Sequence, residues 1–112
     1  MARVSRHPEL FPLFLLFVSL AHPSSAHAQQ SSAKTFQTKC TLCHADDGSG
    51  SSPTGKALKA KDLRSDEVQK QSDAELAAVI TKGRGKMPAF GSKFSVDVIN
   101  SLVAYVRTLA KK

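Results

Sequence analysis

The residues that usually announce chemistry are scarce in this chain. Its 112 residues include four histidines, two cysteines, two methionines and one tyrosine, and no tryptophan. There is no second Cys-x-x-Cys and no His-x-x-x-His pair. A structural zinc wants four nitrogen, sulfur or carboxylate ligands. Cys40, Cys43 and His44 offer three from one cramped stretch. A thioredoxin-like dithiol sits at the end of a strand in a βαβ unit, and no alternating strand pattern or internal repeat stands out. Basic residues are scattered and aromatics for stacking bases are few, which argues against nucleic acid as a partner. Long apolar runs are missing too. The longest, residues 10–21, would span roughly 18 Å as a helix against a hydrocarbon core of about 30 Å. A membrane anchor is therefore not expected, and no cysteine stands near enough to this run to carry a lipid.

That run makes sense as part of a leader. Arg3 and Arg6 give it a basic start, and Ala26-His27-Ala28 supplies a small-x-small cleavage pattern. Residues 1–28 are read as a cleaved secretory signal peptide, with a cut after Ala26 as the alternative, and 29–112 as one small exported domain in the periplasm. Cleavage removes His7, His22, His27 and Met1, so that His44 and Met87 remain as the sole histidine and methionine. Losing Arg3, Arg6 and Glu9 takes the formal charge from +7 to +6. That surplus serves either general solubility or steering toward an acidic surface on a partner protein. A domain this small is marginal on its own core. A Cys40–Cys43 bridge would close too short a loop to help, whereas a buried cofactor would add apolar volume.

Cys40-Thr41-Leu42-Cys43-His44 supplies the cofactor. The spacing C-x-x-C-H is the attachment site of a c-type haem. Two thiols on one helical turn can bond both vinyl groups of a porphyrin, and the next residue, His44, is carried under the ring where its imidazole can ligate iron.

Around this motif the pattern is helical. Ser31 or Ser32 can cap a helix running through Phe36 and Lys39 into the cysteines. Residues 45–55 read as a long loop rich in Gly and Ser. Leu58, Leu63 and Val68 are sparse apolar points, with a short helix around 65–70. Ser72 and Glu75 form a capping box ahead of Leu76, Val79 and Ile80, with Gly83 as the stop. A second glycine-rich loop covers 82–91. Ser95 caps a last helix whose stripe is Ile99, Leu102, Val103, Val106 and Leu109, bordered by Tyr105. The fold class is all-α, three or four short helices joined by two irregular loops.

Met87 has two readings: a methionine filling a gap in the core, or a soft sulfur ligand completing the iron. It lies in a loop, precedes Pro88, which favours an extended approach, and follows Gly83 and Gly85, which let the backbone come close to a flat ligand.

The chain resembles the class I monohaem cytochromes c, most of all the small bacterial cytochromes and the cytochrome c6 type. The resemblance spans nearly all of 29–112. It rests on Phe36 four residues before Cys40, on Cys40-x-x-Cys43-His44 and on Asp47-Gly48-x-Gly50. Gly85-Lys86-Met87-Pro88-Ala89-Phe90 and Leu102-x-x-Tyr105-Val106 complete it. It implies a small cytochrome c fold around one haem c held by Cys40 and Cys43, with His44 and Met87 as the axial pair. It implies one-electron transfer between redox partner proteins, not an enzyme, and a soluble monomer. The family's first and last helices cross closely, which predicts contact of Phe36 with Leu102 and Tyr105. Ser32 stands where a glycine is common at that crossing. The family's loop proline, whose carbonyl accepts from the ligand histidine, has Pro53 as its sole counterpart here, at a different offset from His44.

Overall fold

Four serines decide where helices begin. The computed structural model describes residues 24–111, and these form α1 (Ser24–Lys39), α2 (Thr41–His44), α3 (Pro53–Leu58), α4 (Asp66–Gln69), α5 (Asp73–Lys82) and α6 (Val96–Thr108). The basic start and apolar run of the expected leader lie outside the described residues. Ser52, Ser65, Ser72 and Ser95 are extended, and each side-chain oxygen accepts a backbone N–H from the first turn it precedes. Each such cap is worth about 1 kcal/mol. At Ser72 the bond is reciprocated by Glu75, as the capping box predicts.

The expected three or four helices are six. The loop expected over 45–55 ends early, because Ser52 caps a turn with Pro53 at its first position, where a missing N–H costs nothing. The first helix is not capped at Ser31 or Ser32; it already runs from Ser24, through alanine and glutamine that favour helix. Both expected cut points, Ala26 and Ala28, fall in its first turns.

α6 is the beam of the fold. Ile99, Leu102, Val103 and Val106 recur at helical spacing and are all buried. Val103 and Val106 pack with Val68 and Leu76, and Leu63, Ala77 and Ile80 close around them. α1 crosses α6 at Phe36, which is 2% exposed and meets Tyr105 with ring centroids 5.0 Å apart. Leu102 is buried beside it in the same helix. One turn before Phe36, Ser32 is buried, and Asp97, Val98 and Ser101 of α6 line the same shallow depression. A serine is small enough for this crossing.

Arg107 then ties the end of α6 to the α4–α5 junction. Its guanidinium donates to the carbonyls of Gln69 (2.8 Å) and Gln71 (2.5 Å) and to the Asp73 carboxylate (2.9 Å). Three longer irregular segments are left among the described residues, 45–52, 59–65 and 83–95, and the predicted chemistry lies in and beside them. Among the described residues, no helix is long and apolar enough to cross a membrane.

Candidate functional site

The cysteine motif is a continuation of α1. Cys40 N–H donates to the Phe36 carbonyl at 2.9 Å, so the residue that anchors the helix crossing also sets where the motif starts. The chain then makes one further turn. Cys43 and His44 N–H groups both donate to the Cys40 carbonyl, at 3.2 and 2.9 Å. Cys40, Cys43 and His44 are thereby gathered on a single turn, each half-buried, and both thiols are free. Burial, with Cys43 beside it adding to the rise, pushes the Cys40 thiol up to about 11. The thiol is therefore neutral at ordinary pH.

After His44 the chain turns sharply. Ala45 has φ 62°, a region that residues with a Cβ rarely occupy. The turn is held by Gly50 N–H donating to the His44 carbonyl at 2.8 Å and Gly48 N–H to that of Ala45 at 3.2 Å. α3 is pressed against the motif. Ser52 Oγ lies 2.6 Å from the Leu42 carbonyl and 3.1 Å from that of Cys43. A Cβ on Gly55 would stand 2.0 Å from the Cys43 carbonyl oxygen. Two further bonds fold the next segment back over the loop: Ala60 N–H to Gly55 O at 2.8 Å, and Leu63 N–H to Gly48 O at 2.7 Å.

This return brings the Lys61 carbonyl to 3.0 Å from His44 Nδ1. The acceptor for the histidine is thus Lys61, while Pro53, the family proline's counterpart in sequence, heads α3 instead. A carbonyl can only accept, so Nδ1 carries the ring proton and Nε2 keeps its lone pair. Burial, opposed by the Lys61 bond, moves the imidazole below its ordinary pKa. A neutral ring with Nε2 free is the form that ligates a metal.

Met87 is presented by a different element. Arg84 and Met87 exchange backbone bonds at 3.1 and 2.9 Å, an isolated bridge in the stretch expected as plain loop. Gly83, at φ 72°, makes this turn feasible, since a Cβ there would meet the Met87 carbonyl at 2.6 Å. Phe90 and Gly91 N–H groups donate to the Ile80 and Thr81 carbonyls at 2.9 and 3.0 Å, pinning the far end to α5. Met87 is half-buried and lies outside the packed core cluster, so the gap-filling reading gains nothing from its position. The donor set as a whole fits a c-type haem: two free thiols on one turn, an imidazole with its outer nitrogen available, and a separately anchored thioether.

Acidic groups near the site form a charged rim. Hydrogen bonding from Arg64 holds the Asp62 carboxyl below its ordinary 3.8, and Ser49 does the same for Asp47. Lys61 lowers Glu67 in the same direction. Carboxylates with depressed folded values stabilise the fold fully above about pH 4, and that contribution is lost as pH falls through the lower folded values. Thermal midpoints of the holoprotein should therefore be flat above pH 5 and fall below pH 4. Asp62→Asn should make that acid decline shallower, and an equally steep decline in the variant would contradict this account.

Two features escaped the sequence. The Lys61 carbonyl leaves no residue-type signature, because every residue has one. Gly55 reads as one more glycine in a polar stretch until its neighbour across the turn is seen.

Comparison with known proteins agrees with this geometry. The family model described as cytochrome c oxidase, cbb3-type, subunit III matches residues 27–106. A cytochrome c6 of Leptolyngbya boryana is 37% identical over 79 residues, covering 70% of this chain and 89% of the relative. A cytochrome c6 of Gloeothece citriformis is 30% identical, covering 92% of this chain and 91% of its own length. The cbb3-type cytochrome c oxidase subunit FixP of Azorhizobium caulinodans is 34% identical over 82% of this chain, which spans 31% of that protein. The solved structure of the KustC0563 c-type cytochrome superposes with a TM-score of 0.66 at 29% identity, over 71% of this chain and 98% of that one. Helical fold, Cys-x-x-Cys-His turn and relatives converge: the chain belongs to the class I monohaem c-type cytochromes, small helical electron carriers built on one covalently bound c-type haem.

Proposed function

We propose that the protein is a diffusible one-electron carrier of the periplasm, exported by residues 1–28 and acting as a monomer. Cys40 and Cys43 would hold the haem through thioether links, and His44 Nε2 and Met87 Sδ would be the ligands of its iron. The observation that carries this reading is the His44 Nδ1 to Lys61 carbonyl bond of 3.0 Å. It fixes the tautomer and turns the available lone pair outward from the backbone. A haem held by one nitrogen and one thioether sulfur would supply one-electron exchange, with the chain's own side chains occupying the positions a reactant would need. The chain's own residues bind, orient and shield. The formal charge of +6 left once residues 1–28 are removed supports partners with acidic docking surfaces, since opposite charge raises the rate of encounter.

One mass measurement and one spectrum test this. The protein isolated from the periplasm should have lost its leader near Ala28 and gained one covalent porphyrin. The ferric form should show the far-red sulfur-to-iron band and bind neither cyanide nor carbon monoxide rapidly. A colourless, stably folded polypeptide would refute the assignment.

The match to a cbb3 oxidase subunit supports a second reading, a haem subunit resident in a larger complex. The same chemistry would then serve one fixed partner. Size-exclusion of a native extract separates the two readings: comigration with a large assembly favours residence, and elution at the size of the isolated chain favours the carrier.

A further inference from the structure

The carbonyl on which His44 rests belongs to an exposed residue. Lys61 is exposed and its side chain reaches outward to Glu67 at 2.8 Å, while the backbone bonds of Ala60 to Gly55 and of Leu63 to Gly48 hold the segment on either side of its carbonyl. The next residue adds a side-chain hold between those two backbone anchors. The Asp62 carboxylate accepts the Arg64 backbone N–H at 2.9 Å and, through both oxygens, the Arg64 guanidinium at 3.0 and 3.2 Å. The Asp62 carbonyl accepts Ser65 Oγ at 2.7 Å, so both ends of the residue are held. The remaining arm of Arg64 reaches Asp47 at 3.4 Å, three residues beyond His44. Lys111 joins from the chain's end, its Nζ 3.7 Å from Asp62 and its N–H donating to the Arg64 carbonyl at 3.4 Å. Arg64 thus spans the loop that leaves His44 and the segment that returns to it. An ion pair this exposed adds little to stability. A two-pronged arginine fork nevertheless fixes orientation in a way a point charge does not, and here it fixes the peptide beside the histidine's acceptor.

We propose that Arg64, through Asp62, is a positioning residue for the axial histidine. It holds the Lys61 carbonyl on Nδ1–H and thereby sets the basicity of His44 toward the iron. The proposal rests on His44 ligating the haem. A well-aligned acceptor makes the imidazole a stronger donor and favours the ferric state, so loosening the clamp raises the midpoint potential. Loss of a cation alone acts in the opposite direction, because the ferric form is the more positive one. Arg64→Ala therefore separates geometry from charge by sign.

The experiment uses haem-loaded protein. Arg64→Ala should shift the ferric-to-ferrous balance about threefold toward ferrous, or ~28 mV upward at 59 mV per decade for one electron. The His44 Nδ1 proton, located by hyperfine-shifted proton NMR, should exchange with solvent on the order of tenfold faster as its bond weakens. Arg64→Lys, which keeps the charge without the fork, should show both effects more weakly; it also serves if the alanine variant loads poorly. Lys61→Ala should leave the proton exchange unchanged, because the backbone carbonyl survives. A lowered or constant potential in Arg64→Ala with unchanged proton exchange overturns the clamp. A wild-type protein whose His44 ring proton shows no hyperfine shift overturns the ligand assignment instead.

Discussion

Met87→Ala is expected to leave a folded, haem-loaded protein with an altered iron. The far-red sulfur-to-iron band should vanish, and carbon monoxide and cyanide should bind rapidly at the vacated position. The midpoint potential should fall, because thioether sulfur stabilises the softer ferrous state. Axial ligands set haem potentials over about 0.8 V, so a drop on the order of 0.1–0.2 V is the expected scale. The fold should tolerate the change. Met87 is half-buried and outside the core cluster of Val68, Leu76, Val103 and Val106. Its turn is held by backbone bonds to Arg84 and, beyond it, by those from Phe90 and Gly91 to α5. Alanine retains every one of these. Met87→His offers a complementary measurement, restoring a sixth ligand without restoring the potential. An unaltered midpoint in Met87→Ala would show that another group completes the iron.

Gly55→Ala should be the most damaging single methyl in the protein. The added Cβ would lie 2.0 Å from the Cys43 carbonyl oxygen and 2.6 Å from that of Gly50. Both obstacles are backbone, so no side-chain rotation relieves them. α3 would have to separate from the motif turn, straining the Ser52 hydroxyl's bonds to the Leu42 and Cys43 carbonyls. Overpacking of this kind costs about 1–3 kcal/mol, and more where the neighbour cannot yield. The upper end is expected here, with a low yield of haem-loaded protein. Denaturant midpoints of holoprotein provide the measurement. Gly85→Ala is the natural contrast: nothing lies within 4 Å of the added carbon, and the φ of 55° is the sole penalty, about 1–2 kcal/mol. A Gly55→Ala protein within about 0.5 kcal/mol of wild type would contradict the close contact, since changes that small are typical of uncrowded surface sites.

The helices that sequence identifies best are those with two agreeing signals. α5 has its capping box and apolar spacing, and α6 has Ser95 followed by a stripe of four buried residues. α4 emerges as expected within 65–70. α3 was hidden, because six residues are too few to show a period and its composition resembles loop. The start of α1 is not legible in sequence, because a serine is equally at home as a cap and, as Ser32 shows, as a small residue under a helix crossing.

The site divides along the same line. The Cys-x-x-Cys-His attachment motif is legible, and the proposed ligand pair is suggested, because both are carried by residue identity: a thiol, an imidazole and a thioether cannot be replaced by generic side chains. The Lys61 acceptor and the bridge around Met87 were not, because their interactions are made by backbone atoms that every residue possesses.

What the order of residues determined alone is the kind of cofactor and the side chains proposed to tether it and to reach its iron, since those properties reside in single side chains and their spacing. What tertiary structure decided is the state in which those atoms are held. The ring proton of His44, the pressure of α3 on the cysteine turn and the grip of Arg64 all arise where segments distant in sequence meet. A carbonyl's direction is a property of the folded path, and no residue letter encodes it.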